Sequence, residues 1–150
     1  MSIFTKISAW TASHNPRWLA LIRLALGAAL LLRGVTFLDN PADLDKLIST
    51  TALAGYNNIL IHVIPWTHIV GGFLLILGLF TRLAAVLQIP IILGAIIFVH
   101  FQKPIFKMEI DLAYSILLIL LLLVFVIEGS GPLSLAGYFR EMDEEETATA

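Results

Sequence analysis

Residues 67–85 read THIVGGFLLILGLFTRLAA, and their reading decides the fold. A histidine stands near the head of an apolar run, the pair Gly71-Gly72 follows, and Gly78-Leu79-Phe80-Thr81-Arg82 closes the run before apolar residues resume. Two long apolar segments separated by so short a polar break must be neighbours running in opposite directions. Inside a bilayer the backbone finds no water, so only helices and closed barrels cross it, and about 20 apolar residues make a helix long enough. The stretch predicts a transmembrane helical hairpin turned at Thr81-Arg82.

The rest of the composition agrees. Hydrophobic residues make up 59% of the 150 and charged residues 13%, against about 45–50% and about 25% in soluble domains. With a mean hydropathy of +0.92, a soluble globule of this chain would expose far too much apolar surface. The length suits one domain. The formal net charge of −2 reflects acids gathered at residues 141–146, and no basic block points to nucleic acid. The absence of cysteine excludes thiol–disulfide chemistry, iron–sulfur clusters and cysteine-ligated zinc within the chain. No cleavable leader is expected, because the first long apolar run starts only at Trp18 and holds two arginines.

Working outward from the hairpin, the fold class is all-α: a four-helix transmembrane bundle with spans at about 17–38, 59–80, 83–101 and 109–127. Ile3, Phe4, Ile7 and Trp10 recur at helical spacing and suit a short interfacial helix before the first span. Asn15-Pro16 reads as a helix start. Gly27 and Gly34 share a face on which another helix can approach closely. Between the first two spans, Leu44, Leu47, Ile48 and Leu53 suggest an amphipathic helix capping one end of the bundle. Pro65 and Pro90 mark kinks or a late helix start. The transmembrane domain covers residues 1–136, and 137–150 reads as an acidic tail without fixed structure. Four spans place both termini on one side, with Lys6, Arg17, Arg82 and Arg140 there against Lys46, Lys103 and Lys107 opposite. That bias predicts cytoplasmic termini.

An ionisable side chain at mid-bilayer costs roughly 2.5–3.5 kcal/mol, so each one needs a partner or a purpose. At about 1.5 Å per residue, Arg33 lies roughly 7–8 Å below the surface and His68 roughly 15 Å down, near the midplane. His100 ends the third span, and Glu109 and Asp111 open the fourth at the same end. The helices thus send polar groups toward one half of the membrane, beneath the amphipathic cap. Arg33 paired with Asp111 or Glu109 makes an interhelical salt bridge on one reading, and a ligand site with His68 on the other. Glu109 also suits the headgroup region at a helix N-terminus. His62 and His100 suit the interface. Arg23 and Gln88 lie in the other half and read as structural, Arg23 reaching Glu128 or the surface. His62 and His68 are six apart and cannot chelate a metal from one helix face.

The run Gly71-Gly72-Phe73-Leu74-Leu75-Ile76-Leu77-Gly78-Leu79-Phe80-Thr81-Arg82-Leu83-Ala84-Ala85 resembles the signature hairpin of the DoxX family of small bacterial membrane proteins. Arg23-Leu24-Ala25-Leu26-Gly27 fits that family's arginine-led first span, and Gly129-Ser130-Gly131-Pro132-Leu133-Ser134-Leu135 resembles its glycine-rich close. The resemblance covers about residues 17–135. It implies a four-helix bundle in the bacterial inner membrane and an association with thiosulfate:quinone oxidoreductase or with redox complexes of oxidative-stress defence. Many members carry a glutamate two or three residues before the paired glycines, where this chain has His68. Asp111 stands where members often have an acidic residue.

Two function classes follow. In the first, the polar pocket binds a quinone: His68 supplies a proton near neutral pH, Arg33 stabilises developing negative charge, Asp111 orients one of them, and His100 and Glu109 complete the binding site. In the second, the bundle is a non-catalytic scaffold for a soluble redox partner, or a lipid or small-molecule binder, with Arg33–Asp111 as a structural bridge. No group in the chain can hold an electron alone, which favours the second; whether the protein is an enzyme stays open. A transporter is a third class, against which the four short spans and the lack of an internal repeat speak. Expected partners are membrane lipid, a soluble redox protein and a second copy of the chain.

Overall fold

The computed structural model describes residues 17–100, 110–129 and 135–149, and these are all helical apart from short connections. In chain order the helices are α1 (Arg17–Asp39), α2 (Pro41–Ser49), a 3-10 turn (Ala54–Tyr56), α3 (Asn57–Leu77), α4 (Thr81–Ala95), a π-helical turn (Ile96–His100), α5 (Ile110–Glu128) and α6 (Leu135–Thr149). Among the described residues, three helices are long and apolar enough to cross a membrane: α1, the stretch Ala54–Leu77 and the stretch Thr81–Phe98. The apolar part of α5, Leu112–Glu128, is shorter. The interfacial helix expected before residue 17 and the loop around Pro104 lie outside the described residues.

The helices pack in a cycle: α1 along α3, α3 against α4, α4 against α5, and α5 lightly back against α1. Each contributes to one core, in which Leu30, Leu75, Ala84 and Leu122 are wholly buried. Large apolar side chains also cover the outside, among them Leu21, Leu32, Ile59, Phe73, Leu83 and Leu117. Water would penalise that arrangement and hydrocarbon would not. This is a membrane protein.

Lipid tails are as apolar as leucine, so helices in a bilayer associate through close packing rather than expulsion of water. The α1–α3 seam does this with glycine. A Cβ on Gly27 would stand 2.7 Å from the Gly72 carbonyl oxygen, and one on Gly72 would stand 2.6 Å from that of Gly27 and 2.7 Å from the Leu31 nitrogen. Seven residues on, a Cβ on Gly34 would meet Ile69 and the Pro65 carbonyl at 2.7 and 2.8 Å. As numbers rise in α1 they fall in α3, so the helices are antiparallel. Gly71 faces the other way, where its Cβ would collide with the Gln88 amide on α4.

The hairpin turns three residues earlier than the polar pair suggests. Gly78 adopts a left-handed conformation (φ 69°), its N–H donating to the Leu75 carbonyl and that of Leu79 to the Leu74 carbonyl at 3.0 Å. This is the Schellman ending, which glycine permits because it has no Cβ. Phe80 is also left-handed (φ 46°), a conformation unfavourable for a bulky residue, and α4 already begins at Thr81. Arg82 then reaches across the bundle and donates to the Ile127 carbonyl at 3.1 Å, beside the left-handed Gly129 that ends α5. A cation suits that C-terminus, where carbonyls are unpaired and the helix dipole is negative.

At the other end α2 starts on Pro41, buries Leu44 and Ile48, and lies against α3 and α1. The Asn57 amide donates to the Asp45 carboxylate, tying α2 to the start of α3. Leu47, placed on the apolar face from sequence, is exposed. Helix α3 runs through Pro65 from Asn57, so it does not begin at the proline. Helix α4 likewise runs through Pro90; its regular pattern gives way only afterwards, at Ile96–His100. Of residues 137–150, read from sequence as a tail without fixed structure, 137–149 belong to helix α6, in keeping with the helix-forming Glu, Arg and Met among them.

Candidate functional site

The capped half of the bundle gathers a cation, an imidazole and two aromatic rings. Arg33 and Phe37 are four apart on α1 and so share a face. The Arg33 guanidinium stands 5.6 Å from the centre of the Phe37 ring and 5.6 Å from that of Tyr114 on α5, within the range of cation–π attraction. Phe37 in turn lies 6.2 Å from the His68 ring of α3, tilted at 58°. Phe37 is thus shared by the two ionisable groups. Three helices meet in this cluster.

His68 is the unusual member. It is 3% exposed, and its buried Nδ1 makes no hydrogen bond of good geometry among the described residues; the Ile64 carbonyl, one turn back on α3, interacts with the ring only loosely. Leaving such a group unsatisfied costs about 1–3 kcal/mol. A stability-minded sequence would place an apolar residue there. Around the ring the site offers a guanidinium with five donors, a ring nitrogen and aromatic faces. That set can hold a flat polar group by stacking and hydrogen bonding at once.

Of the residues singled out from sequence, Arg33 and His68 come together. The side chains of His100 and Asp111, and the whole of Glu109, lie outside the described residues; the backbone places Asp111 one turn before Tyr114 on α5. Among the described residues no carboxylate pairs with Arg33, and the one ion pair is the exposed Lys46–Asp43 contact at 3.9 Å. His62 is exposed, with Nδ1 3.0 Å from the Asn58 carbonyl, as suits an interfacial residue. Phe37 and Tyr114 escaped the sequence reading because each looks like apolar filling. The spacing of Phe37 four residues after Arg33 was the available signal.

The hairpin half holds a different polar set. The Gln88 amide, wholly buried, donates to the Thr67 carbonyl at 2.5 Å, and its Oε1 and the Thr81 hydroxyl have no partner among the described residues. Arg23 is 4% exposed, so it packs inside the bundle and does not snorkel to the surface.

Comparison with known families matches the DoxX model over residues 18–101. That stretch takes in α1, α2, α3, α4 and the π-helical turn, with Arg33, Phe37 and His68 inside it and Tyr114 beyond it. No curated protein and no solved structure matches the chain. With more than half of its length matched, including the glycine seam and the Gly78–Arg82 hairpin, the chain belongs to the DoxX family.

Proposed function

We propose that this protein is a quinone-binding subunit of a redox complex, crossing the bacterial inner membrane four times with both termini in the cytoplasm. The observation that carries the reading is the buried His68, whose Nδ1 lacks a well-formed hydrogen bond among the described residues, beside Arg33, Phe37 and Tyr114. A fourth crossing is in keeping with α5, whose 19 residues extend about 28 Å against a hydrocarbon core of about 30 Å. An isoprenoid quinone carries an apolar tail suited to the helices and a flat ring with two carbonyl oxygens suited to this cluster. His68 hydrogen-bonds one oxygen, Arg33 offsets the negative charge that reduction develops there, and the rings of Phe37 and Tyr114 hold the guanidinium in place. Asp111, one turn from Tyr114, orients Arg33 or His68, and His100 and Glu109 border the site.

Reduction of a quinone to its quinol consumes two electrons and two protons. The chain has no cysteine, and none of its side chains stores an electron at ordinary potentials. The electrons come from the redox cofactor of a soluble partner, and the protons pass by way of His68 from water. Non-catalytic scaffolding is the second reading, favoured by Arg33 sitting between two rings in an arrangement that also serves as a structural clasp.

Titration of the detergent-solubilised protein with a short-chain ubiquinone analogue, followed by quenching of tryptophan fluorescence, tests the proposal. Saturable binding that weakens tenfold or more in both His68→Ala and Arg33→Ala is the expected result. Equal affinity in all three proteins would refute it.

A further inference from the structure

Helix α6 carries an apolar stripe that none of the other described residues covers. Leu135, Tyr138, Phe139 and Met142 recur at the i, i+3, i+4, i+7 spacing of one helix face, and each is exposed, Tyr138 at 58% and Phe139 at 55%. The two rings pack edge to face at 6.2 Å, forming one continuous apolar patch. Arg140, Glu141 and Glu144 occupy the opposite face. The stripe then stops: the next positions on the same side are Glu145 and Glu146. An amphipathic first half is followed by an acidic second half.

The position of the helix says what covers the stripe. Helix α5 ends at Glu128, the following Gly129 bonds back to its last turn, and Leu135 comes six residues after that glycine. Even fully extended, that connection reaches only about 20 Å, so the stripe is held near the end of a membrane-embedded helix. The outer face of α5, with Leu120, Leu123, Val124 and Ile127 exposed, leads the lipid-facing belt up to that end. Tyrosine with its polar tip and phenylalanine beside it belong at headgroup depth. Bacterial membranes carry anionic lipid, and the run from Asp143 to Glu146 is repelled by it.

We infer that α6 is a membrane-surface helix: residues 135–142 lie on the phospholipid interface through Leu135, Tyr138, Phe139 and Met142, and residues 143–149 are held off it in water. The acidic half then stands at the membrane surface, clear of the lipid.

The chain has no cysteine, so single cysteines can be placed and spin-labelled without background. Labels at Phe139→Cys and Glu144→Cys, with Leu135→Cys and Met142→Cys as second reporters of the stripe, are read in phosphatidylcholine–phosphatidylglycerol vesicles. The measurement is collision with oxygen, which concentrates in lipid, against collision with a nickel chelate, which stays in water. The expected oxygen-to-nickel ratio is several-fold higher at 135, 139 and 142 than at 144. Water-like ratios at all stripe positions would overturn the inference and leave the stripe to a soluble protein. Dipolar broadening between labels at 139 would overturn it in favour of a second copy of the chain.

Discussion

The two ends of the bundle solve the same problem differently. At the hairpin end, helix termini are closed by backbone and side-chain hydrogen bonds: Gly78 and Leu79 donate back into α3, and Arg82 caps the carbonyl end of α5 beside Gly129. At the capped end, Arg33 and His68 rest against the Phe37 and Tyr114 rings. Buried polar atoms without a well-formed hydrogen bond among the described residues occur in both halves, at His68 Nδ1 and at Gln88 Oε1 and Thr81 Oγ1, so it is the charge among rings that sets the capped end apart. A cation placed on the carbonyl end of a helix stabilises the fold. A cation held by rings keeps its donors. The hairpin end therefore reads as structure, and the capped end is where the proposed quinone site lies; the family match takes in α1 to α4 at both ends, but not the α5 residues that complete them.

The comparison depends first on the seam that holds both ends together. Gly72→Leu would drive the α1 and α3 backbones apart, and the expected loss is about 3 kcal/mol or more, seen as a collapse of the helical circular dichroism at far lower denaturing detergent. Gly94→Ala is the matched control, because a Cβ there meets nothing within 4 Å; it leaves stability unchanged or raises it by up to about 1 kcal/mol through helix propensity.

A smaller effect is expected at the α3–α4 contact. Gly71→Ala collides with the Gln88 side chain, which can move, so a loss of about 1–2 kcal/mol is expected. In a Gln88→Ala background most of that loss should vanish, a coupling readable from a double-mutant cycle. Additive losses would mean that the glycine serves some other neighbour. Smaller again is Arg82→Ala, which removes one hydrogen bond of an exposed side chain; a loss under about 1 kcal/mol is expected, with quinone binding intact. At the capped end, Tyr114→Phe keeps the ring face and should change neither stability nor binding. Tyr114→Leu removes it and should weaken quinone binding severalfold, with a stability change within about 1 kcal/mol.

Much of the fold was legible because hydropathy and small residues are local signals. The hairpin, the first two spans, α2 and the role of Gly27 and Gly34 all follow from spacing. The turn was misplaced because Thr81 and Arg82 are the polar residues, whereas the backbone reverses where Gly78 permits a positive φ. The π-helical turn at Ile96–His100 left no trace, since a shift in hydrogen-bond register alters neither composition nor period. Helix α6 was missed because its charge outweighed its helix propensity. At the site, depth counting brought Arg33 and His68 into one half of the membrane. It could not tell that Phe37 and Tyr114 stand around them, because an aromatic residue in a lipid-spanning helix reads the same whether it fills a core or frames a ligand.

On the proposed function, His68 is kept at some cost in stability because it serves a ligand. An unpartnered buried polar group exchanged for an apolar one of similar size is nearly neutral or stabilising. The decisive measurement is therefore made on His68→Leu beside the unaltered protein: quinone content, by mass spectrometry of an organic extract, and stability, on the same gently purified samples. The account predicts near-stoichiometric quinone in the unaltered protein, none in the variant, and a variant at least as stable. Phospholipid alone in both samples, or a variant that loses its fold, would contradict it and make His68 a structural residue of a scaffold.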